Sequence, residues 1–285
     1  RRRLAPPPRR MLPRRRLLQT RAGAIEHVLS GRGRPVWLLF SGAGVTLEGW
    51  RDLYPGIERL GTVLAWNRLG AGRSSRPRGP QTGSAVVASL RELLGYLDLA
   101  PPYILVGHSL GALHAELFAR LYPQEVQAVA VLKPAHPGQR GQWQGEQERL
   151  AGTLAPLLDV PAGSLRANLQ AEVDKAGETS RQREAAGPFP PVPLLVVSGG
   201  RDPPRWLASP QAARQRRDRQ GVLARLSPTG EHVVLPRSGH FPQRSEPQRV
   251  LALLRALARR AGAGAGEGEG EGEAGDQPLR PFQAM

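Results

Sequence analysis

The chain has 285 residues and no cysteine. Disulfides and thiolate-held metals are therefore excluded, and the absence fits a reducing compartment, so a cytoplasmic location is expected. No run of 18 or more apolar residues occurs, so no segment reads as a membrane-spanning helix and no membrane partner is expected. Lysine is almost missing: Lys133 and Lys175 are the only two among 40 basic residues. That skew, with 34 glycines and 28 prolines, reads as coding bias toward arginine rather than selection for phosphate contacts. Aromatic residues make up 5%, too few for a base-stacking platform, and no nucleic-acid motif accompanies the charge. Nucleic acid is thus not the expected partner, although the net charge is +16.

The charge is also unevenly placed. Residues 1–21 hold nine arginines and no acid, while residues 262–285 are net negative, with five acids and one arginine. The first stretch, rich in Arg and Pro without apolar periodicity, reads as a disordered arm. Its apolar pieces, Met11-Leu12 and Leu17-Leu18, are too short for a secretory signal; a transit-like role fits the composition, and Met11 is an alternative start. The second stretch alternates Gly with Ala or Glu and reads as a flexible tail.

What is present lies between them. Hydrophobic residues amount to 40%, enough for a substantial core. Short β-like runs are expected at Ile25–Leu29, Pro35–Phe40, Thr62–Trp66, Tyr103–Val106, Val126–Leu132, Val192–Ser198 and Val233–Leu235. Helical patterns fall at Leu47–Leu60, Ser84–Leu97, Leu110–Tyr122, Arg205–Gln220 and Pro247–Arg260. The alternation implies an α/β fold: a mostly parallel central sheet flanked by helices. It breaks at residues 133–187, where Leu150, Leu154, Leu157 and Leu158, then Ser164 as a cap with Leu165, Leu169 and Val173, suggest a short helical cap. The core is then expected as two parts, residues 22–132 and 188–261.

The most informative run is Ile104-Leu105-Val106-Gly107-His108-Ser109-Leu110-Gly111. Three β-prone residues enter Gly-x-Ser-x-Gly, and an apolar helical stretch leaves it. A strand, a sharp turn and a helix form the context of a nucleophile elbow, which holds a serine hydroxyl at the top of a sheet. Such a pentapeptide can also be a purely structural turn, so the other parts of a catalytic relay decide. A serine needs a base. His240 follows the last strand and precedes the final helix, on the same sheet edge as the elbow, whereas His232 points to the opposite end. The base needs an orienting carboxylate. Asp202, in the loop after Leu194–Gly200, is that candidate, although it can also be a helix cap before Pro203. The end of the strand before the cap, Leu132-Lys133-Pro134, holds no acid. An oxyanion needs two backbone donors: Leu110 N–H, and one from Ser41-Gly42-Ala43-Gly44, with Ala43 preferred to Gly44.

Together these residues resemble the α/β-hydrolase superfamily over roughly residues 25–260, in particular small, lidded, esterase-type members. Asn67-Arg68-Leu69-Gly70-Ala71-Gly72-Arg73-Ser74 is similar to the family's D-R-x-G-x-G-x-S loop, and Ser238-Gly239-His240 with Glu246-Pro247 to its G-H ending. Two departures stand out: Ser41-Gly42 in place of His-Gly, and Asn67 in place of Asp. The resemblance implies catalytic Ser109, Asp202 and His240, with no cofactor and no metal. A serine at the elbow argues against the epoxide hydrolases and haloalkane dehalogenases of this fold, which use an aspartate. The expected activity is hydrolysis of a small carboxylic ester through an acyl-enzyme. A thioesterase or C–C bond hydrolase would use the same triad, and a non-catalytic binding role is the third reading. Six basic and seven acidic residues between Pro134 and Gly187 predict no strongly anionic substrate, and His136 and Trp143 are candidate pocket residues.

Overall fold

Continuous apolar runs become strands buried on both faces, and this decides the architecture. In β3 (Val36–Phe40) all five residues are buried, as are all six of β5 (Tyr103–His108) and of β7 (Leu194–Gly199). Because side chains alternate along a strand, each run feeds two cores. Leu38, Phe40 and Leu105 enter one, with Leu90, Leu93 and Phe118, whereas Trp37, Leu39, Ile104 and Val106 enter the other, with Trp50, Tyr54 and Leu254.

The computed structural model describes residues 12–134, 162–202 and 209–266. Eight strands form one sheet in the order β1-β2-β4-β3-β5-β6-β7-β8. The remaining strands are β1 (Arg16–Gln19), β2 (Ala24–Ser30), β4 (Thr62–Trp66), β6 (Val126–Leu132) and β8 (Glu231–Leu235). β1, β2 and β4 pair antiparallel; β4, β3, β5, β6, β7 and β8 run parallel. The α/β class with a mostly parallel sheet flanked by helices is therefore the fold observed.

The helices are α1 (Tyr54–Ile57), α2 (Gly83–Tyr96), α3 (Leu110–Leu121), α4 (Ala162–Ala185), α5 (Pro210–Leu223), α6 (Pro242–Ser245) and α7 (Pro247–Gly266). α2 starts at Thr82, whose hydroxyl accepts Ala85 N–H, and α5 at Ser209, whose hydroxyl accepts Ala212 N–H. α7 buries Val250, Leu251, Leu254, Leu257 and Ala261, a stripe at helical spacing against the second core.

Three expectations are corrected. The arm expected through residue 21 contains strand β1, which pairs with β2 from Arg16↔His27 to Gln19↔Ala24. An edge strand held by backbone bonds needs little apolar pattern, and β1 is mostly exposed. The helix expected over Leu47–Leu60 is two short turns, Leu47–Trp50 and α1. Residues 262–266, expected in a tail, belong to α7, which runs to Gly266; the rest of the expected tail lies outside the described residues.

Within residues 133–187 the described helix is α4, a single element in which Ser164 lies inside rather than at the start. It packs along α2 and α3. Thr179 Oγ1 accepts Gly83 N–H (2.9 Å), Gln182 Oε1 accepts Ser84 N–H (2.9 Å), and Arg183 pairs with Glu116 (3.2 Å). Leu150–Leu158, His136, Trp143 and Pro203 lie outside the described residues.

Candidate active site

Ser109 joins β5 to α3 with φ 52° and ψ −117°. A non-glycine residue held there costs about 1–3 kcal/mol and persists only where its surroundings impose it. Ser109 N–H donates to the Leu132 carbonyl (3.1 Å), and the Ser109 carbonyl accepts Ala112 N–H (3.0 Å). Gly107 and Gly111 allow the close approach. A Cβ on Gly107 would stand 2.7 Å from Ala112 Cα, and one on Gly111 2.1 Å from the Phe40 carbonyl oxygen. The turn is thus squeezed between α3 and the end of β3, and the serine sits at the helix N-terminus, where negative charge is favoured. The Ser109 hydroxyl has no hydrogen-bond partner among the described residues, and the residue is 4% exposed.

The loop after β3 lies against this elbow. A Cβ on Gly42 would be 3.3 Å from Ser109 Cβ and 2.9 Å from His108 Nδ1. Arg68, itself buried, donates from Nη1 to the Ser41 carbonyl (2.6 Å) and from Nη2 to the Gly42 carbonyl (2.7 Å). Its Nε donates to Glu172 Oε1 (2.6 Å), while Glu172 Oε2 accepts Gly44 N–H (2.7 Å). Gly44 N–H is therefore occupied. The N–H groups of Ala43 and Leu110 donate to no acceptor among the described residues.

The loops after β7 and β8 meet on the same edge. Gly200 N–H donates to the Leu235 carbonyl (2.8 Å) and Arg201 N–H to the Ser238 carbonyl (3.0 Å), so Asp202 and His240 leave adjacent, hydrogen-bonded loops. The His240 loop is tied to the elbow, since His108 Nε2 donates to the His240 carbonyl (2.8 Å) and the two rings meet edge to face at 5.2 Å. That bond requires the Nε2–H tautomer of His108, whose Nδ1 is buried without a partner. Burial pulls the His108 imidazole down to about 4. His240 is half-buried. Burial, then His108, Lys133 and Arg216, hold its imidazole well below the ordinary value. Burial, then Arg68, hold the imidazole of His114 on α3 well below the ordinary value.

Asp202 is brought to this edge but not onto His240. Its exposed carboxylate accepts Arg217 Nη1–H from α5 (2.5 Å), and this bond holds it below the usual carboxylate range. Among the described residues no hydrogen bond links Asp202 to His240, or His240 to Ser109.

A family model for the alpha/beta hydrolase fold matches residues 35–186. This chain belongs to the α/β-hydrolase family. A thermophilic esterase from Thermogutta terrifontis, solved with malate bound, superposes with a TM-score of 0.66 at 22% identity, covering 87% of this chain and 99% of the other. Among curated proteins, the uncharacterized protein YqjL of Bacillus subtilis is 32% identical over 95 residues, 33% of this chain and 38% of YqjL. The 2-hydroxy-6-oxo-2,4-heptadienoate hydrolase of Pseudomonas putida is 36% identical over 116 residues, 39% of this chain and 42% of that protein. These matches span less than half the length of either curated relative.

Both departures from the family pattern have a local cause. Asn67 Nδ2 donates to Glu26 Oε2 (2.7 Å), and Asn67 Oδ1 accepts Leu47 N–H (2.7 Å). Glu26 is fully buried in β2 and also accepts Arg73 N–H (2.8 Å), so an aspartate at 67 would set carboxylate against carboxylate. Ser41 Oγ accepts the Trp50 indole N–H (3.0 Å), giving a buried donor its partner. Two residues with no role in the sequence reading belong to this site. Arg68 was visible within the Asn67–Ser74 run, but nothing marked its targets. Glu172 carried no signal, being one acid among seven in a charge-balanced segment.

Proposed function

We propose that this protein is a serine hydrolase that cleaves a small carboxylic ester through an acyl-enzyme on Ser109. The observation that carries the reading is the strained Ser109 elbow flanked by two unengaged N–H groups, Ala43 and Leu110. Ser109 Oγ attacks the ester carbonyl carbon as His240 takes the hydroxyl proton. The oxyanion lies between the Ala43 and Leu110 N–H groups. Collapse expels the alcohol, which receives the proton from His240. Water, deprotonated by His240, then releases the acid and regenerates the serine. Asp202 orients the imidazolium, which requires it to exchange Arg217 for His240.

The test is turnover of p-nitrophenyl acetate and butyrate by wild type and Ser109→Ala. Wild type is expected to turn both over and to be labelled by a fluorophosphonate, with both lost in the variant. Equal rates in the two proteins would sink the reading, and absence of any labelling would favour a binding role. The match to a heptadienoate hydrolase supports a second reading, cleavage of an activated C–C bond by the same serine. Faster turnover of a vinylogous diketone than of any ester would select it. For either reading the ligand is a small molecule.

A further inference from the structure

We infer that Glu172 is a positioning residue that selects which N–H of the loop after β3 meets the oxyanion; this rests on the serine-hydrolase reading above. The peptide joining Gly42 to Ala43 is trans, since the cis bonds among the described residues are Arg34-Pro35 and Pro101-Pro102. In a trans peptide the C=O and the N–H point in opposite directions. Arg68 Nη2 holds the Gly42 carbonyl at 2.7 Å, so the Ala43 N–H of that same peptide faces away from Arg68. Arg68 Nη1 holds the preceding peptide by the Ser41 carbonyl at 2.6 Å.

Glu172 completes the clamp from a different part of the chain, 104 residues from Arg68. One oxygen accepts Arg68 Nε–H at 2.6 Å and fixes the guanidinium plane. The other takes Gly44 N–H at 2.7 Å and removes it as a competing donor. Successive peptides of one loop thus have opposite fates: the Ala43 N–H is left for ligand, and the Gly44 N–H is consumed. The carboxylate also neutralises a guanidinium whose side chain is 4% exposed, which would otherwise be a buried uncompensated charge. Since Glu172 lies on α4, the seating of that helix on α2 and α3 also sets the oxyanion loop.

A glutamine cannot reproduce this. Its single amide oxygen can accept from Arg68 or from Gly44, and its NH₂ would face one of the two donors. The experiment compares wild type, Glu172→Ala, Glu172→Gln and Ser109→Ala on p-nitrophenyl butyrate, with rates per active site titrated by fluorophosphonate. Inhibition by phenylboronic acid, which forms a tetrahedral adduct on a serine, is measured alongside. Both Glu172 variants are expected to lose roughly tenfold to a hundredfold in kcat with KM changed less than about threefold. Boronate affinity should fall in step with kcat. If Glu172→Ala does not fold, Glu172→Gln alone decides. Unchanged kcat and boronate affinity in a folded variant, with Ser109→Ala dead, overturns the role of Glu172 and leaves the hydrolase standing. So does a loss confined to KM. Full turnover by Ser109→Ala overturns both.

Discussion

The two sides of the site are built differently. On the side of Ser41–Gly44, every polar group named in the Arg68–Glu172 clamp has a partner, all at 2.6–2.7 Å, and the charges are buried. On the side of Asp202 and His240, the carboxylate is exposed and held by Arg217, and burial, then His108, Lys133 and Arg216, disfavour the charged form of the imidazole. In the proposed mechanism the first side is set before substrate arrives, which is how preorganised dipoles lower a barrier without reorganising. The second rests with Asp202 on Arg217, a different pairing from the one the proposed mechanism uses. A buried network must be fully satisfied or it destabilises the fold, whereas an exposed ion pair is worth little and exchanges readily.

The largest test of this contrast removes the proposed base. His240→Ala is expected to lose turnover by several powers of ten, as loss of one member of a catalytic unit does. An effect no larger than that of Glu172→Ala would place the chemistry on the preorganised side alone. Next is acid stability. The His108 imidazole lies at about 4 when folded against 6.5 when free, so the folded state binds fewer protons. Its contribution is complete above pH 6.5 and is lost as pH falls toward 4, amounting to about 3 kcal/mol. Urea unfolding at pH 7 and 4.5 should show this fall. His108→Gln, which keeps a donor for the His240 carbonyl, should flatten it; an equal slope in both proteins contradicts the assignment.

Asn67→Asp is expected to cost about 1–3 kcal/mol by opposing the Glu26 carboxylate, read as a lower urea midpoint. A neutral result would contradict this account of Asn67. The smallest effect sharpens the contrast most. With His240 depressed by burial and by His108, Lys133 and Arg216, the acid limb of kcat/KM should lie below 6.5. Arg217→Ala frees Asp202, and a carboxylate turned to His240 stabilises the imidazolium, so the limb should move to higher pH. A limb that stays in place would remove Asp202 from the relay.

Much of the fold was legible because its signals are local. Val36–Phe40, Ile104–Val106 and Leu194–Val197 are continuous apolar runs, and Gly107-His108-Ser109-Leu110-Gly111 carries a turn whose glycines have backbone for neighbours. β1 was not legible, because an exposed edge strand is held by its backbone and leaves no apolar period. The clamp was not legible either. Arg68 and Glu172 are 104 residues apart, and neither has a sequence neighbour that reveals the other.

By itself, then, the sequence determined the alternation of buried strands and helices, the sharp turn that holds Ser109, and the loops in which His240 and Asp202 lie. Spacing and residue type are enough for these, since each follows from the geometry of a few consecutive residues. Only the tertiary structure decided which partner each polar group takes: Glu26 for Asn67, Glu172 for Arg68 and Gly44, Arg217 for Asp202. Hydrogen bonds and charges act through space at under 3 Å, and the chain brings such atoms together only when the sheet has closed around them.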